Sequence, residues 1–245
     1  MIMENKIVIL TGGSRGIGHE TSKKFWDNGW EVITCSRTPV APQCPWEQNK
    51  KNHFQIDLEN LNNLEDSLNN LVKYLNGRPV KALINNAAIS PKDETNKRLD
   101  FIDTPIELWQ KVFNVNFFAP IMISKAIINN LKSAEGMVIN ITSIASDMVH
   151  EFAGPAYATS KAALKSLTRE MASDLSKYGI RVNAIAPGEI ETSMITQDSK
   201  HLLKNIPMGR FGKPEEVAAV IHSMCSDSFS YVNGTEIEIN GGQKV

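Results

Sequence analysis

The chain of 245 residues contains only three cysteines, and they are scattered. Cys35, Cys44 and Cys225 are odd in number and lack the paired spacing of a zinc site, which argues against a disulfide framework and against a metal cluster. We therefore expect no bound metal, and free thiols in a reducing compartment. The formal net charge of −1 gives no electrostatic reason to bind nucleic acid or an anionic membrane.

Long hydrophobic runs are absent as well. No run approaches the about 18 apolar residues that a membrane helix needs, so the sequence predicts a soluble, cytoplasmic protein. Hydrophobic residues nevertheless make up 42% of the chain, which is enough for a sizeable core. The expected partner is a small molecule or another protein.

Strand patterns alternate with helix patterns along the chain. Short apolar runs bounded by glycine or polar residues indicate strands that are buried on both faces. Such runs lie at 6–10, 31–35, 53–56, 81–85, 136–143, 180–186 and 235–239. Because no linker interrupts the alternation, the pattern predicts one doubly wound α/β domain over residues 1–245.

The first run leads directly into a glycine-rich turn that opens a helix. Gly12, Gly16 and Gly18 lie in this turn. A helix N-terminus offers unpaired N–H groups and partial positive charge, and glycines let a pyrophosphate approach the backbone. The turn therefore suggests a dinucleotide phosphate site. Its spacing differs from the commonest G-x-G-x-x-G fingerprint, so a plain turn is the alternative.

The second run ends at Ser36-Arg37 with no acidic residue. An acid at this position would bind the adenosine ribose 2′-hydroxyl, whereas an arginine suits a 2′-phosphate. Arg15, inside the glycine turn, could approach the same phosphate. Two solvated arginines are the alternative. Together the two residues predict NADP(H) as the cofactor.

Tyr157 and Lys161 are four residues apart in a helical pattern, so they share one face of the helix. A nearby ammonium favours the ionised phenol, which predicts a Tyr157 pKa below its usual value of about 10. Such a phenol could donate and accept a proton near working pH. An ordinary amphipathic helix with a solvated lysine is the alternative.

Other polar residues lie where strands are predicted to end. The segment 85–88 follows the fourth run, and Ser143 ends the fifth. Open α/β sheets bind ligands at this carboxyl edge, although 85–88 equally fits an ordinary turn. Asn116 interrupts a largely apolar helix, where a buried amide is costly unless it is hydrogen-bonded.

The segment 189–213 has weak periodicity and several Gly and Pro residues. A connection of this length inside a compact domain usually forms a lid or a binding segment, so we predict that it is a substrate lid. His150 is expected in the pocket wall or at the surface. Candidates for pocket lining, with core as the alternative, are Phe152, Met194 and Met208.

With these residues assembled, the chain resembles the short-chain dehydrogenase/reductase family from Lys6 to Gly242. The resemblance implies a single Rossmann-type domain with a seven-stranded parallel sheet and helices on both faces. It also implies a homotetramer or dimer, and hydride transfer between a nicotinamide cofactor and a carbonyl or alcohol. The motifs that carry it are Thr11-Gly-x-x-x-Gly-Ile-Gly18, Asn85-Asn-Ala-Ala88, Asn116, Ser143, Tyr157-x-x-x-Lys161 and Pro187-Gly188 followed by Thr192.

The resemblance implies roles for individual residues. Ser143 would hydrogen-bond the substrate oxygen and Tyr157 would donate the proton. Lys161 would hold the nicotinamide ribose and lower the phenol pKa, with Asn116 supporting a water relay behind it. The implied cofactor-binding residues are Gly12, Ser14, Arg15, Gly16, Ile17, Gly18, Arg37, Asp57, Leu58, Asn86, Ala87, Tyr157, Lys161, Pro187, Gly188, Ile190 and Thr192.

The chain departs from the family pattern at Ala88, which is most often glycine, and in a long charged loop at 91–103. Its segment 207–217 resembles bacterial 3-oxoacyl-[acyl-carrier-protein] reductases, and Lys132 and Lys177 are the candidates to contact an acidic carrier protein. The leading expectation is therefore an NADP(H)-dependent 3-oxoacyl thioester reductase. The alternatives are a dehydrogenase of a free ketone, steroid or sugar alcohol, and a non-catalytic dinucleotide-binding regulator.

Overall fold

The computed structural model describes residues 6–39, 44, 46, 52–192 and 197–245, with no side-chain description for 197–200. Seven strands of this part form one all-parallel sheet. The strands are β1 Ile7–Thr11, β2 Glu31–Ser36, β3 His53–Gln55, β4 Ala82–Asn85, β5 Met137–Ile141, β6 Arg181–Pro187 and β7 Glu236–Ile239. The prediction of one Rossmann-type domain with a seven-stranded parallel sheet is confirmed.

The helices fill the connections between strands. They are α1 Gly16–Asp27, α2 Leu61–Leu75, α3 Ile106–Phe113, α4 Ala119–Ala126, α5 Ile128–Ser133, α6 Pro155–Leu175 and α7 Pro214–Met224. The helical pattern that begins near residue 105 is not one helix. A π-helical turn, Asn114–Phe118, separates α3 from α4.

Hydrophobic cores lie on both faces of the sheet, because alternate residues of a buried strand point to opposite sides. On one side Ile9 packs in a core with Leu64 of α2, and on the other Leu10 packs in a core with Phe25 of α1 and Val217 of α7. Burying one such side chain fully stabilises the fold by roughly 1.5–3 kcal/mol. Helices therefore cover both faces, as predicted.

Helix α2 illustrates how the sequence sets an element's limits. Leu64, Leu68, Leu71 and Leu75 form its buried stripe. Asn60 caps the start by accepting a hydrogen bond from the Asn63 N–H at 3.2 Å. Asn76 ends the helix in the left-handed conformation, at φ +46°. The three- and four-residue spacing of these leucines is what places them on one buried face.

The strand order is β3-β2-β1-β4-β5-β6-β7, so the chain reverses its direction of travel across the sheet between β1 and β4. Loops that leave these two neighbouring strands diverge and open a crevice at the carboxyl edge of the sheet. This switch point is where an open α/β sheet binds its ligand, and it determines which loops can meet.

The three cysteines are buried and free of disulfides. Burial raises the pKa of the Cys35 and Cys225 thiols to about 12, so both stay protonated at neutral pH. Trp46 is buried in the core beside α1 together with Cys44. Among the described residues, none of the helices is long and apolar enough to cross a bilayer.

Candidate active site

The glycine-rich turn between β1 and α1 leaves no space for side chains. Gly12 and Gly16 have left-handed φ angles of +73° and +55°, and a Cβ on Gly18 would lie 2.1 Å from the Gly12 carbonyl oxygen. Glycine is therefore required for this backbone path. Ser14 and Arg15 complete the turn, and Ile17 packs at the edge of the core in the first turn of α1. The turn offers the backbone cradle that a pyrophosphate needs.

Residues after β4 hold this turn in place. The Asn86 amide nitrogen donates to the carbonyl oxygens of Thr11 and Gly12 at 3.0 and 3.1 Å. The Thr11 hydroxyl accepts hydrogen bonds from the backbone N–H groups of Asn86 and Ala87, both at 3.0 Å. The ends of β1 and β4 therefore meet at the switch point, as a dinucleotide crevice requires.

The ends of β2 and β3 carry the residues predicted for the adenosine end. The Arg37 side chain is 65% exposed, with its nearest carboxylate, Glu59, at 4.0 Å. Glu59 has a closer ion pair with Lys111 at 2.9 Å, so Arg37 keeps a largely unengaged guanidinium. Asp57 is exposed and Leu58 is buried beside it.

The end of β6 closes the crevice from the other side. Gly188 follows Pro187 in a spot where a Cβ would lie 2.3 Å from the Gln243 side-chain oxygen. Ile190 is buried, and the Thr192 methyl group lies 3.2 Å from the place a Gly16 Cβ would take. A cleft of about 570 Å³ opens here, lined by Arg15, Gly16, Glu20, Glu191, Thr192, Lys213, Pro214 and Glu215.

Ser143, Tyr157 and Lys161 come together at the same edge. Ser143 follows β5 and caps a short 3-10 turn, where its hydroxyl accepts a hydrogen bond from the Ala145 N–H at 3.2 Å. Tyr157, in the first turn of α6, is near enough to Ser143 for that side chain to favour the ionised phenol. The Lys161 Nζ atom lies one turn later, 5.7 Å from the centre of the Tyr157 ring.

The predicted lowering of the Tyr157 pKa is wrong for this structure. Burial raises the pKa of the phenol and the negative charge of Glu189 adds to this, while the Ser143 side chain opposes both. The Lys161 Nζ donates to the Ile141 carbonyl at 2.6 Å, and within the described part of the chain it has no hydrogen bond to the phenol. Burial also lowers the pKa of Lys161 to about 7, since desolvation disfavours the charged form of either group.

Asn116 lies in the π-helical turn and is fully buried. Its side-chain oxygen accepts from the Ile89 N–H at 2.9 Å, and its nitrogen donates to the Ile89 carbonyl and to the Ser160 hydroxyl, both at 3.0 Å. These bonds remove the cost of burying the amide. They also join the segment after β4 to α6 beside Lys161. Single π turns of this kind are frequent at functional sites.

The loop 91–103 bears a small antiparallel bridge between Lys92 and Arg98. The Lys92 ammonium donates to the Phe152 carbonyl, and the Arg98 Nε donates to the Ala153 carbonyl at 2.8 Å. This loop therefore fixes the segment that leads into α6. Phe152 is half-buried.

His150 and Glu189 form a pair that sequence reasoning missed. The His150 Nε2 atom lies 2.5 Å from Glu189 Oε1, and the two side chains are 14% and 13% exposed. A pocket-wall position was one interpretation of His150, but its partner is 39 residues away in the chain. The available signal was an acid directly after Pro187-Gly188, at the ligand edge of the sheet.

Four further candidates have different outcomes. Met194 lies outside the described residues, and Met208 is 63% exposed. Lys132 and Lys177 both lie against the Tyr178 ring, with Nζ atoms 3.7 and 5.2 Å from its centre. Because these lysines precede β5 and β6, they lie at the amino edge of the sheet, opposite Ser143.

Lys161 should make stability depend on pH. Its pKa is about 7 in the native state and about 10.4 unfolded, so the unfolded state binds more protons between these values and the free energy of unfolding rises with pH there. The free energy of unfolding of wild type, relative to that of Lys161→Met, should therefore increase by on the order of 3 kcal/mol from pH 7 to pH 10. Urea denaturation without cofactor measures it.

Lys165→Met is the matched control. Lys165 lies on the same helix, but ion pairs with Asp147 and Glu236 raise its pKa. The difference in free energy of unfolding between Lys165→Met and wild type should therefore not change from pH 7 to pH 10. A flat difference for Lys161→Met would mean that Lys161 titrates like an exposed lysine.

Comparison with known proteins places this geometry in a family. The family model described as enoyl-(acyl carrier protein) reductase matches residues 12–244. Protein FixR of Bradyrhizobium diazoefficiens is 49% identical over 242 residues, covering 98% of this chain and 87% of FixR. A 3-oxoacyl-[acyl-carrier-protein] reductase of Thermotoga maritima is 32% identical and covers 99% of each chain.

A solved structure extends the likeness to three dimensions. A short-chain dehydrogenase/reductase of Brucella ovis, in complex with a partially ordered NAD, is 47% identical and superposes with a TM-score of 0.82 over 97% of this chain and 100% of that one. The chain therefore belongs to the short-chain dehydrogenase/reductase family and is an oxidoreductase acting on CH–OH and C=O groups.

Proposed function

We propose that this chain reduces a carbonyl compound with NADP(H), using Tyr157 as proton donor and Ser143 as a second hydrogen-bond donor. The observation that carries the proposal is the meeting of Ser143, Tyr157 and Lys161 at the carboxyl edge, where the Lys161 Nζ atom lies 5.7 Å from the Tyr157 ring and Ser143 is near enough to lower the phenol pKa. A carbonyl that gains hydride develops alkoxide charge, so donors aimed at its oxygen stabilise the transition state more than the ground state. The bound cofactor would supply the hydride.

Residues around the crevice fit such a cofactor. At Gly12 and Gly18 of the turn a side chain would meet neighbouring atoms within 3 Å, and Asn86 fixes the turn from β4. Lys161 would hold the ribose hydroxyls, and Asn116 would position α6 behind it. The remaining cofactor positions of the family pattern, at the ends of β2, β3 and β6, surround the same crevice.

The Tyr157 phenol is available as a proton donor. Burial raises its pKa, so it is protonated at neutral pH and can transfer its proton to a developing alkoxide. Reduction is therefore the direction that we propose. Residues 193–196 of the predicted lid 189–213 lie outside the described residues. We also propose that the described part of this segment covers the substrate, because Leu202, Ile206 and Phe211 form a small core against Phe152. A homo-oligomeric state and a cytoplasmic location stay predictions.

Tyr157→Phe should lower kcat at least about 1,000-fold while cofactor affinity changes little. Loss of one oxyanion donor costs about 3–4 kcal/mol, and the proton source is lost as well. NADPH consumption at 340 nm and fluorescence titration of NADPH measure the two effects. Tyr178→Phe, at a 40%-exposed tyrosine, is the control that should keep activity. A Tyr157→Phe enzyme with most of its activity would refute the assignment.

The proposed preference for NADP(H) rests on Arg37, which is exposed directly after β2. The carboxyl end of β2 carries no acidic residue that could bind the ribose 2′-hydroxyl instead. Arg15 is exposed in the neighbouring turn. The Brucella ovis relative is in complex with NAD, so NADH is the competitor to measure.

Wild type should bind NADPH more tightly than NADH, and Arg37→Asp should lower the NADPH/NADH ratio of kcat/KM about 10- to 100-fold. The range corresponds to one lost hydrogen bond between charged groups, about 1.5–3 kcal/mol. Lys73→Asp makes the same charge change at an exposed position of α2 and should leave the ratio unchanged. Equal wild-type affinities for the two cofactors would remove the 2′-phosphate argument.

For the substrate, we take a 3-oxoacyl thioester as the first candidate. Segment 207–217 and the named Thermotoga maritima relative support it. A carrier protein docked at Lys132 and Lys177 would lie at the amino edge of the sheet. The site lies at the opposite, carboxyl edge, so docking there would not bring the substrate to it. A free polar ketone is the second candidate, favoured by the partly buried charges of Glu189 and Lys92 near Tyr157.

A carrier-free 3-oxoacyl thioester should be reduced with a kcat/KM at least about 10-fold above that of an unsubstituted ketone or a steroid. The double variant Lys132→Glu/Lys177→Glu should leave this value unchanged, because both lysines lie far from Ser143. NADPH consumption over this panel decides the substrate class. Tight NADPH binding without oxidation by any compound would instead favour a non-catalytic regulator.

A further inference from the structure

Glu189 is held firmly two residues beyond the end of β6. Its backbone N–H donates to the Gln243 side-chain oxygen at 3.1 Å, and its carbonyl accepts from the Gly212 N–H at 2.9 Å. Both bonds fix the direction in which the side chain leaves the backbone. The carboxylate is therefore a fixed feature of the site and not a mobile surface group.

His150 fixes the carboxylate itself. The His150 Nδ1 atom accepts a hydrogen bond from the Phe152 N–H at 3.1 Å, so the ring proton is on Nε2, which donates to Glu189 Oε1 at 2.5 Å. The second carboxylate oxygen of Glu189 accepts no hydrogen bond from the residues that the structure describes.

The charge of Glu189 reaches the reacting groups. It contributes to the raised pKa of Tyr157, and it partly offsets the effect of burial on the pKa of Lys92. The Lys92 ammonium donates to the Phe152 carbonyl, and it forms no ion pair with Glu189 in the part of the chain that the structure describes. The site thus places an acceptor with an open oxygen within electrostatic range of the phenol.

We propose that Glu189 is a specificity-determining residue, which accepts a hydrogen bond from a hydroxyl or ammonium group that the substrate carries beside its reacting carbonyl. This rests on the proposed carbonyl reduction at Tyr157, and it favours the second substrate candidate, a free polar ketone, over a 3-oxoacyl thioester, which carries no such donor beside its carbonyl. Covering a carboxylate with hydrocarbon leaves a charged group desolvated and unpaired, which is strongly unfavourable. A site built to pair with a donor rejects the analogue that lacks it far more strongly than an apolar pocket rejects an extra methylene.

Three ketones of equal chain length test this: a hydroxyketone, an aminoketone and the unsubstituted ketone. For the wild-type enzyme with NADPH, kcat/KM should be at least about 10-fold higher for the two donor-bearing ketones. Glu189→Leu should remove this preference or invert it while still reducing the unsubstituted ketone. Glu189→Gln keeps an acceptor without charge, so it should retain the hydroxyketone and lose the aminoketone if the native donor is an ammonium.

Glu151→Gln is the matched control. Glu151 also pairs with a histidine, His201, at 2.8 Å, but the pair is 56% and 42% exposed, so the substrate preference should not change. Equal ketone ratios in wild type and Glu189→Leu would overturn the assignment of Glu189 alone. If wild type reduces none of the ketones or thioesters, the proposed function fails and this inference fails with it.

Discussion

The burial of Lys161 is the constraint on which the site depends. An ammonium that is 1% exposed and donates to a single backbone carbonyl opposes folding, because desolvation of a charge is costly unless it is well paired. The cores on both sides of the sheet must offset this cost. In return, the fold places a lysine with a pKa near neutral pH beside a protonated phenol. The pKa of an exposed lysine is not lowered by desolvation in this way, and shifted pKa values of this kind are typical of functional sites.

Connections between distant segments hold this arrangement. Asn116 joins the segment after β4 to α6 through Ile89 and Ser160. The bridged loop 91–103 holds the residues before α6 from the opposite side through Lys92 and Arg98. Helix α6 is thereby fixed at its N-terminal half, where Tyr157 and Lys161 are. The side chains of Lys92 and Arg98 donate to backbone carbonyls, so they position the helix and have no direct part in the reaction.

The fold and the location of the site follow from local patterns. The buried runs predicted the limits of each strand to within two residues. The glycines from Gly12 to Gly18 marked the switch point, because no other residue type fits the backbone at their positions. The Tyr157 pKa did not follow, since a spacing of four residues indicates proximity but does not reveal that Lys161 bonds to Ile141. The pairing of Glu189 with His150 joins loops that only the tertiary fold brings together, so no periodicity could indicate it.

Glu189 also links recognition to acid strength. Its negative charge disfavours the phenolate and so keeps Tyr157 protonated. A substrate donor that pairs with Glu189 offsets this charge and thereby lowers the phenol pKa within the complex. Proton transfer then becomes easier only when the substrate with the matching group is bound. An unsubstituted ketone leaves the charge of Glu189 uncompensated. It therefore binds less well, and the Tyr157 phenol beside it stays less acidic. The two effects together make the enzyme discriminate between the ketones more strongly than either would alone.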